Sequence, residues 1–172
     1  MADGVLRLRP WSERDAVAVL DALSAPEMSR QSDRPVDSRE SASRWIVRRE
    51  EEWRAGTAYS FAVVDGDDVP LGNVAVGAVN HVHATGWVSY WTAPSARGSG
   101  VATYGCDALA RWAFDELGLF RLELGHRVNN PASCRVARGA GFAPEGLQRQ
   151  KLAYDGVRYD VELHARLASD PV

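Results

Sequence analysis

Hydrophobic and polar positions change their period several times along the chain, and each change marks an element. Val5 to Arg9 alternate apolar and basic residues, the period of a half-buried strand. Ser12-Glu13-Arg14-Asp15 opens an apolar-periodic run in the manner of a capping box, which predicts a helix from Ser12 to about Leu23. Ser24 to Asp37 is polar, holds two prolines and reads as a loop. Ser38 to Arg54 predicts a second helix, with Trp45, Ile46 and Trp53 interleaved among charges and Gly56 as its stop. Three strand-like runs follow, Ala58 to Asp65, Leu71 to Val79 and Gly86 to Thr92. Asp65-Gly66-Asp67-Asp68 turns the chain between the first two, and Pro94 closes the third.

From Val101 to Leu117 the period is helical again. Ala102, Cys106, Leu109, Ala113 and Leu117 share one face, and Gly118 ends the run. Phe120, Leu122 and Leu124 alternate with Arg121 and Glu123, so Phe120 to Gly125 predicts a strand. Asn130-Pro131 places a cap and a first-turn proline at the start of a short helix that stops at Gly141. The last segment predicts a hairpin about Asp155-Gly156. Val157, Tyr159, Val161, Leu163, Ala165 and Leu167 form its apolar side, and Arg158, Asp160, Glu162, His164 and Arg166 its polar side. Without a repeat, a low-complexity tract or a linker, residues 1–172 read as one mixed α/β domain.

Composition narrows the class. The chain is 45% hydrophobic and 25% charged, which is globular rather than disordered. No apolar run approaches the ~20 residues of a membrane span. The opening Met1-Ala2-Asp3-Gly4-Val5-Leu6-Arg7 lacks the apolar core of a signal peptide, so a cytoplasmic protein with no membrane partner is expected. The 20 basic and 23 acidic residues leave a net charge of -3, which argues against a nucleic-acid partner. Lys151 is the one lysine among the basic residues, a coding bias rather than a functional signal. Two cysteines, Cys106 and Cys134, exclude a disulfide scaffold and a four-cysteine zinc site.

The segment richest in chemistry is Ala96-Arg97-Gly98-Ser99-Gly100-Val101-Ala102-Thr103, between a strand and a helix. Gly98 and Gly100 remove the side chains that would keep a ligand off the backbone. The successive N–H groups and the helix N-terminus then make a donor site for a phosphate or pyrophosphate, with Arg97 at its rim. A P-loop is excluded because no Gly-Lys-Ser/Thr occurs. A dinucleotide fingerprint needs a third glycine where Thr103 stands; Glu123, about 20 residues on, keeps an NAD-type oxidoreductase as a weaker reading.

The spacing Arg97-x-x-Gly100-x-Ala102 resembles the acetyl-CoA pyrophosphate loop of the GNAT superfamily of N-acetyltransferases. Tyr90-Trp91-Thr92-Ala93-Pro94 and Trp112 to Leu119 are similar to its RimJ/RimL branch, the ribosomal-protein N-terminal acetyltransferases. So is Asn130-Pro131-Ala132-Ser133 leading to Gly141-Phe142 and Glu145-Gly146. The resemblance covers about Val5 to Leu167 and implies a mostly antiparallel sheet with splayed central strands, flanked by helices. It implies acetyl-CoA as co-substrate, held by Arg97, Gly98, Ser99, Gly100, Val101, Ala102 and Thr103. The strand edge at Trp91, Thr92 and Ala93 would pair with the pantetheine arm, Asn130 would contact it, and an N–H near Trp91 would stabilise the oxyanion. Ser133 would protonate the leaving thiolate. The acceptor implied is an amine, of a protein N-terminus or a small molecule, and homodimers are common among relatives.

The proton acceptor is not legible in this way. Trp87 stands where many relatives have Glu, and Gln150-Lys151-Leu152 replaces the other usual site. His83, and after it His81, are the expected bases, from a turn preceding the cofactor strand. His81-x-His83 lacks a third ligand at sensible spacing, so no metal is expected. Cys134 reads as a packing thiol, Glu145 as structural, Trp45 and Trp53 as core or rim, and Asp65 to Asp68 as a solvated tip. The missing carboxylates keep a second function in view, an acyl-CoA-binding regulatory module with little or no catalysis.

Overall fold

The computed structural model describes residues 5–171; Met1 to Gly4, the start of the segment read for a leader, and Val172 lie outside them. One seven-stranded sheet runs through the molecule in the order β1-β2-β3-β4-β5-β7-β6. Its strands are β1 (Arg7–Pro10), β2 (Tyr59–Val64), β3 (Pro70–Asn80), β4 (Thr85–Thr92), β5 (Arg121–Arg127), β6 (Ala143–Tyr154) and β7 (Val157–Leu167). Four helices flank it: α1 (Ala16–Leu23), α2 (Arg39–Ala55), α3 (Val101–Asp115) and α4 (Pro131–Gly139). The sheet is antiparallel except where β4 meets β5.

Alternation along β2 sorts the interior into two layers. Phe61 and Val63 pack with Val74, Val76 and Val88 under α3 residues Cys106, Leu109, Ala110 and Ala113. Ala62 and Val64 face the opposite layer, with Val19 and Leu23 of α1, Trp45 and Ile46 of α2, and Trp91. Trp45 is therefore core, stacked edge-on to Trp11 with ring centroids 5.2 Å apart. Trp53 joins Tyr59, Phe61 and Trp112 in a second aromatic group. Ser38 caps α2 by accepting from the Ser41 N–H, and Gly56 ends the helix with φ +68°.

Three local expectations need correction. Asp68 is more than a solvated tip: Arg7, Arg9 and Arg14 all converge on its carboxylate. Phe120 lies just before β5 and its side chain is half exposed, although its N–H donates to the Ala84 carbonyl and its carbonyl accepts from the Ala168 N–H. The polar side of the last hairpin is not its wet side. His164 is fully buried and Arg166 nearly so, because α3 and α4 lie over that face. Arg166 is compensated there by Asp107 of α3 at 2.8 Å and by the Ala140 carbonyl at 2.9 Å.

Candidate active site

β4 and β5 pair in parallel only over Thr85–Trp87 and Arg121–Glu123. Beyond that point they separate. At Gly125 the indole of Trp87 and the Val161 side chain occupy the space a Cβ would need, each 3.0 Å from it. An open cleft of about 840 Å³ fills the wedge, lined by Trp87 to Thr92 of β4 and Leu124 to Arg127 of β5. The glycine loop closes one end of the cleft and the first turn of α4 borders it. Among the charged side chains on its wall, Arg30, Arg97, Arg127 and Arg135 outnumber the single acid, Glu27. A protein of net charge -3 thus presents a cationic cleft.

The loop has the backbone its glycines allow. Gly98 and Gly100 have φ +79° and +83°, and a Cβ at either would meet no protein atom within 4 Å. Both therefore point their missing side chains into open space, and Gly100 leads directly into α3. Arg97, Gly98, Gly100, Val101, Ala102 and Thr103 line the cleft. Ser99 does not: its hydroxyl donates back to the Ala96 carbonyl at 2.6 Å and tightens the loop.

Trp91 and Thr92, at the end of β4, line the cleft, and Ala93 just beyond it does not. The Ala93 N–H donates to the Leu71 carbonyl at 2.8 Å, on the β3 side. Ladder alternation then turns Trp91 toward β3 as well, and leaves Tyr90 and Thr92 with backbone groups at the open edge. The oxyanion donor expected near Trp91 is thus better sought one residue to either side.

Asn130 caps α4 through its side-chain oxygen, which accepts from the Ser133 N–H at 3.2 Å. Asn130 and Ser133 both line the cleft. Ser133 faces the Tyr90 phenol, which burial pushes up to about 12 against a small opposing effect of the Ser133 hydroxyl. That phenol oxygen is buried and makes no regular hydrogen bond. Cys106, pushed up to about 12 by burial on the inner face of α3, is an inert core thiol.

The structure does not bring His81 and His83 to the cleft. Both are exposed on the turn between β3 and β4, at the end where β4 is still paired to β5. The cleft opens at the other end of the strand, so neither ring lines it. The histidine that does line it is His126 on β5, buried beside His164 of β7. No local spacing links these two; the only sequence signal is their placement on strands that turn out to be neighbours. Cys134 also departs from expectation, since its Sγ points at the Glu162 carboxylate, 3.6 Å away, rather than into apolar packing.

The family model described as an acetyltransferase (GNAT) domain matches residues 6–143. A Bacillus subtilis protein named "Putative ribosomal N-acetyltransferase YdaF" is 30% identical over 96 residues, 56% of this chain and 52% of that protein. The ribosomal-protein-serine acetyltransferase of Escherichia coli is 29% identical over 112 residues, 65% of this chain and 62% of that one. These alignments span between half and two thirds of the relatives' length. The structure of Mycobacterium smegmatis RimJ in complex with CoA-disulfide superposes with a TM-score of 0.86 at 28% identity, covering 96% of this chain and 83% of that one.

Proposed function

Because the chain belongs to the GNAT acetyltransferase family, we propose that it transfers the acetyl group of acetyl-CoA to a primary amine, the α-amine of a protein or peptide N-terminus. The observation that carries this reading is the opening of β4 away from β5 beside a positive-φ glycine loop. A pyrophosphate placed on the N–H groups of Gly98 to Thr103 would meet the start of α3 and the guanidinium of Arg97. The exposed backbone of Tyr90 and Thr92 would receive the pantetheine amides as an added strand. The names of the relatives support the choice of a protein acceptor. Glu27, the one acid on the cleft wall, supports a cationic end on the acceptor.

The chemistry requires no covalent enzyme intermediate. A neutral amine attacks the thioester carbonyl, and the oxyanion takes an N–H at the open edge of β4. The amine proton passes to water in the open cleft. As the C–S bond breaks, the Ser133 hydroxyl gives its proton to the departing thiolate and regains one from solvent. Most of the acceleration falls to positioning and desolvation.

Acetyl-CoA turnover with a panel of N-terminal peptides and polyamines, run beside a coenzyme A thermal shift, tests the reading. Turnover with peptides and a shift with coenzyme A are expected. Tight coenzyme A binding without turnover of any amine would favour the acyl-CoA-binding module, and no shift would overturn both.

A further inference from the structure

Beneath the cleft, where β5, β7 and α4 meet, four side chains converge: His126, Cys134, Glu162 and His164. Their donor atoms all lie within 4.8 Å of one another. His126 Nε2 is 3.0 Å from His164 Nε2 and 3.3 Å from Glu162 Oε2. His164 Nε2 is 2.8 Å from the same carboxylate oxygen, and Cys134 Sγ is 3.6 Å from it. His164 is fully buried and His126 nearly so.

The tautomers follow from the partners of the other ring nitrogens. His126 Nδ1 lies 3.0 Å from the Arg127 carbonyl, and His164 Nδ1 lies 3.1 Å from the Phe142 carbonyl. A carbonyl only accepts, so each Nδ1 carries the hydrogen. Each ring then turns its Nε2 toward the other ring and toward the Glu162 carboxylate. Three electron-rich atoms packed this closely need a positive centre among them. Backbone carbonyls that hold Nδ1–H and so aim Nε2 inward are the arrangement typical of metal-ligating histidines.

We propose that His126, Cys134, Glu162 and His164 form a four-coordinate site for a divalent transition metal, zinc by its donor chemistry. Two imidazole nitrogens, a thiolate and a carboxylate make a tetrahedral zinc set. Zinc–ligand bonds of about 2.0 to 2.3 Å imply edges of roughly 3.3 to 3.8 Å, so the present spacing needs only small side-chain adjustments. Binding releases the Cys134 thiol proton to solvent and forms the metal–sulfur bond. The two anionic ligands then cancel the dication, which leaves a neutral centre in a buried place. The metal ties α4 to β5 and β7. Since Cys134 follows Ser133 on α4, it also fixes the wall of the cleft that carries Ser133 and Asn130. This site does not depend on the acetyl-transfer reading.

The test is elemental analysis of the full chain purified without chelator, followed by chelation and cobalt(II) titration. About one zinc per chain is expected. Cobalt should give the strong visible absorption of a tetrahedral centre and a sulfur-to-cobalt band in the near ultraviolet. Cys134→Ser, nearly isosteric and at a half-exposed position, should abolish the sulfur band and weaken metal binding by at least about tenfold. The same band should persist in Cys106→Ala and in the double variant H81A/H83A, which removes the exposed His-x-His. His164→Gln should also lose metal; if it fails to fold, Cys134→Ser still decides. Absence of zinc together with a featureless cobalt titration overturns the site and leaves a single proton shared by His164, His126 and Glu162. An unchanged titration of Cys134→Ser overturns it as well.

Discussion

The four histidines of the chain form two pairs, and the pairs differ in every respect that matters to chemistry. His81 and His83 are two residues apart, exposed, and carried by a turn at the paired end of β4 and β5. His126 and His164 are 38 residues apart in sequence and 3.0 Å apart in space, buried at the splayed end. The register of β5 on β7 sets His126 opposite Glu162 and His164 opposite Leu124, so the two rings are diagonal neighbours on one face. A short spacing in a turn brings residues together without giving them a site. A strand register gives them a shared, dry environment that no local pattern announces. The same contrast extends to the ends of β4: the turn end is closed by pairing, and the other end opens onto the glycine loop and α4.

The splayed end should therefore dominate any mutational series. The largest loss is expected at Ser133. If its hydroxyl protonates the thiolate, Ser133→Ala should lower kcat by roughly 10²-fold with little change in the KM for acetyl-CoA. The Asn130 cap is untouched by this change, since Asn130 accepts from the backbone N–H of Ser133. Steady-state kinetics with the best peptide acceptor check it, and an unchanged kcat would move the proton donor to water.

Next in size is Gly100→Val. Two costs combine: a β-branched residue at φ +83° is strained, and its side chain enters the space where phosphate would sit. Coenzyme A affinity should fall at least about tenfold, or ~1.4 kcal/mol, with native circular dichroism. Calorimetric affinity equal to the parent protein would separate the loop from phosphate binding.

A smaller effect, of opposite sign in the free and bound protein, is expected at Tyr90. Its phenol is buried without a partner and held neutral up to about pH 12. Tyr90→Phe removes an unsatisfied donor, so the ligand-free melting temperature should rise slightly. If coenzyme A supplies the missing acceptor, its affinity should fall about two- to tenfold, the worth of one neutral hydrogen bond. Thermal shifts with and without coenzyme A measure both signs at once.

The glycine loop, the cap at Asn130 and the order of elements were legible in the sequence because neighbouring residues determine them. Gly98 and Gly100 announce positive φ wherever the chain later carries them. What escaped reading depends on contacts across the sheet. Glu162, His164 and Arg166 read as a wet face because they alternate with apolar residues, yet α3 and α4 cover them and the polarity is compensated internally. Ser99 and Ala93 sit inside recognisable motifs but spend their polar groups on Ala96 and Leu71. Motif membership fixed the neighbourhood of these residues and said nothing of which way they face.

The smallest expected effect is the most direct test of the comparison. His81 and His83 lie on the exposed β3–β4 turn, and the backbone of that turn is organised by Asn80, whose side-chain oxygen accepts from the N–H groups of Val82 and His83 at 3.0 Å each. The imidazoles take no part in that arrangement, so a double alanine variant keeps the turn and its pairing. A base at either position would have to reach an amine in the cleft from the opposite end of β4. At a strand rise of about 3.3 Å per residue, the six steps from Ala84 to Tyr90 span roughly 20 Å, several times the reach of an imidazole. The double variant should keep kcat/KM within about twofold of the parent at every pH from 5.5 to 9 and bind coenzyme A equally well. A lost inflection near pH 6.5 in the variant alone would return the proton acceptor to this turn and require the acceptor amine to be held at the closed end of the sheet.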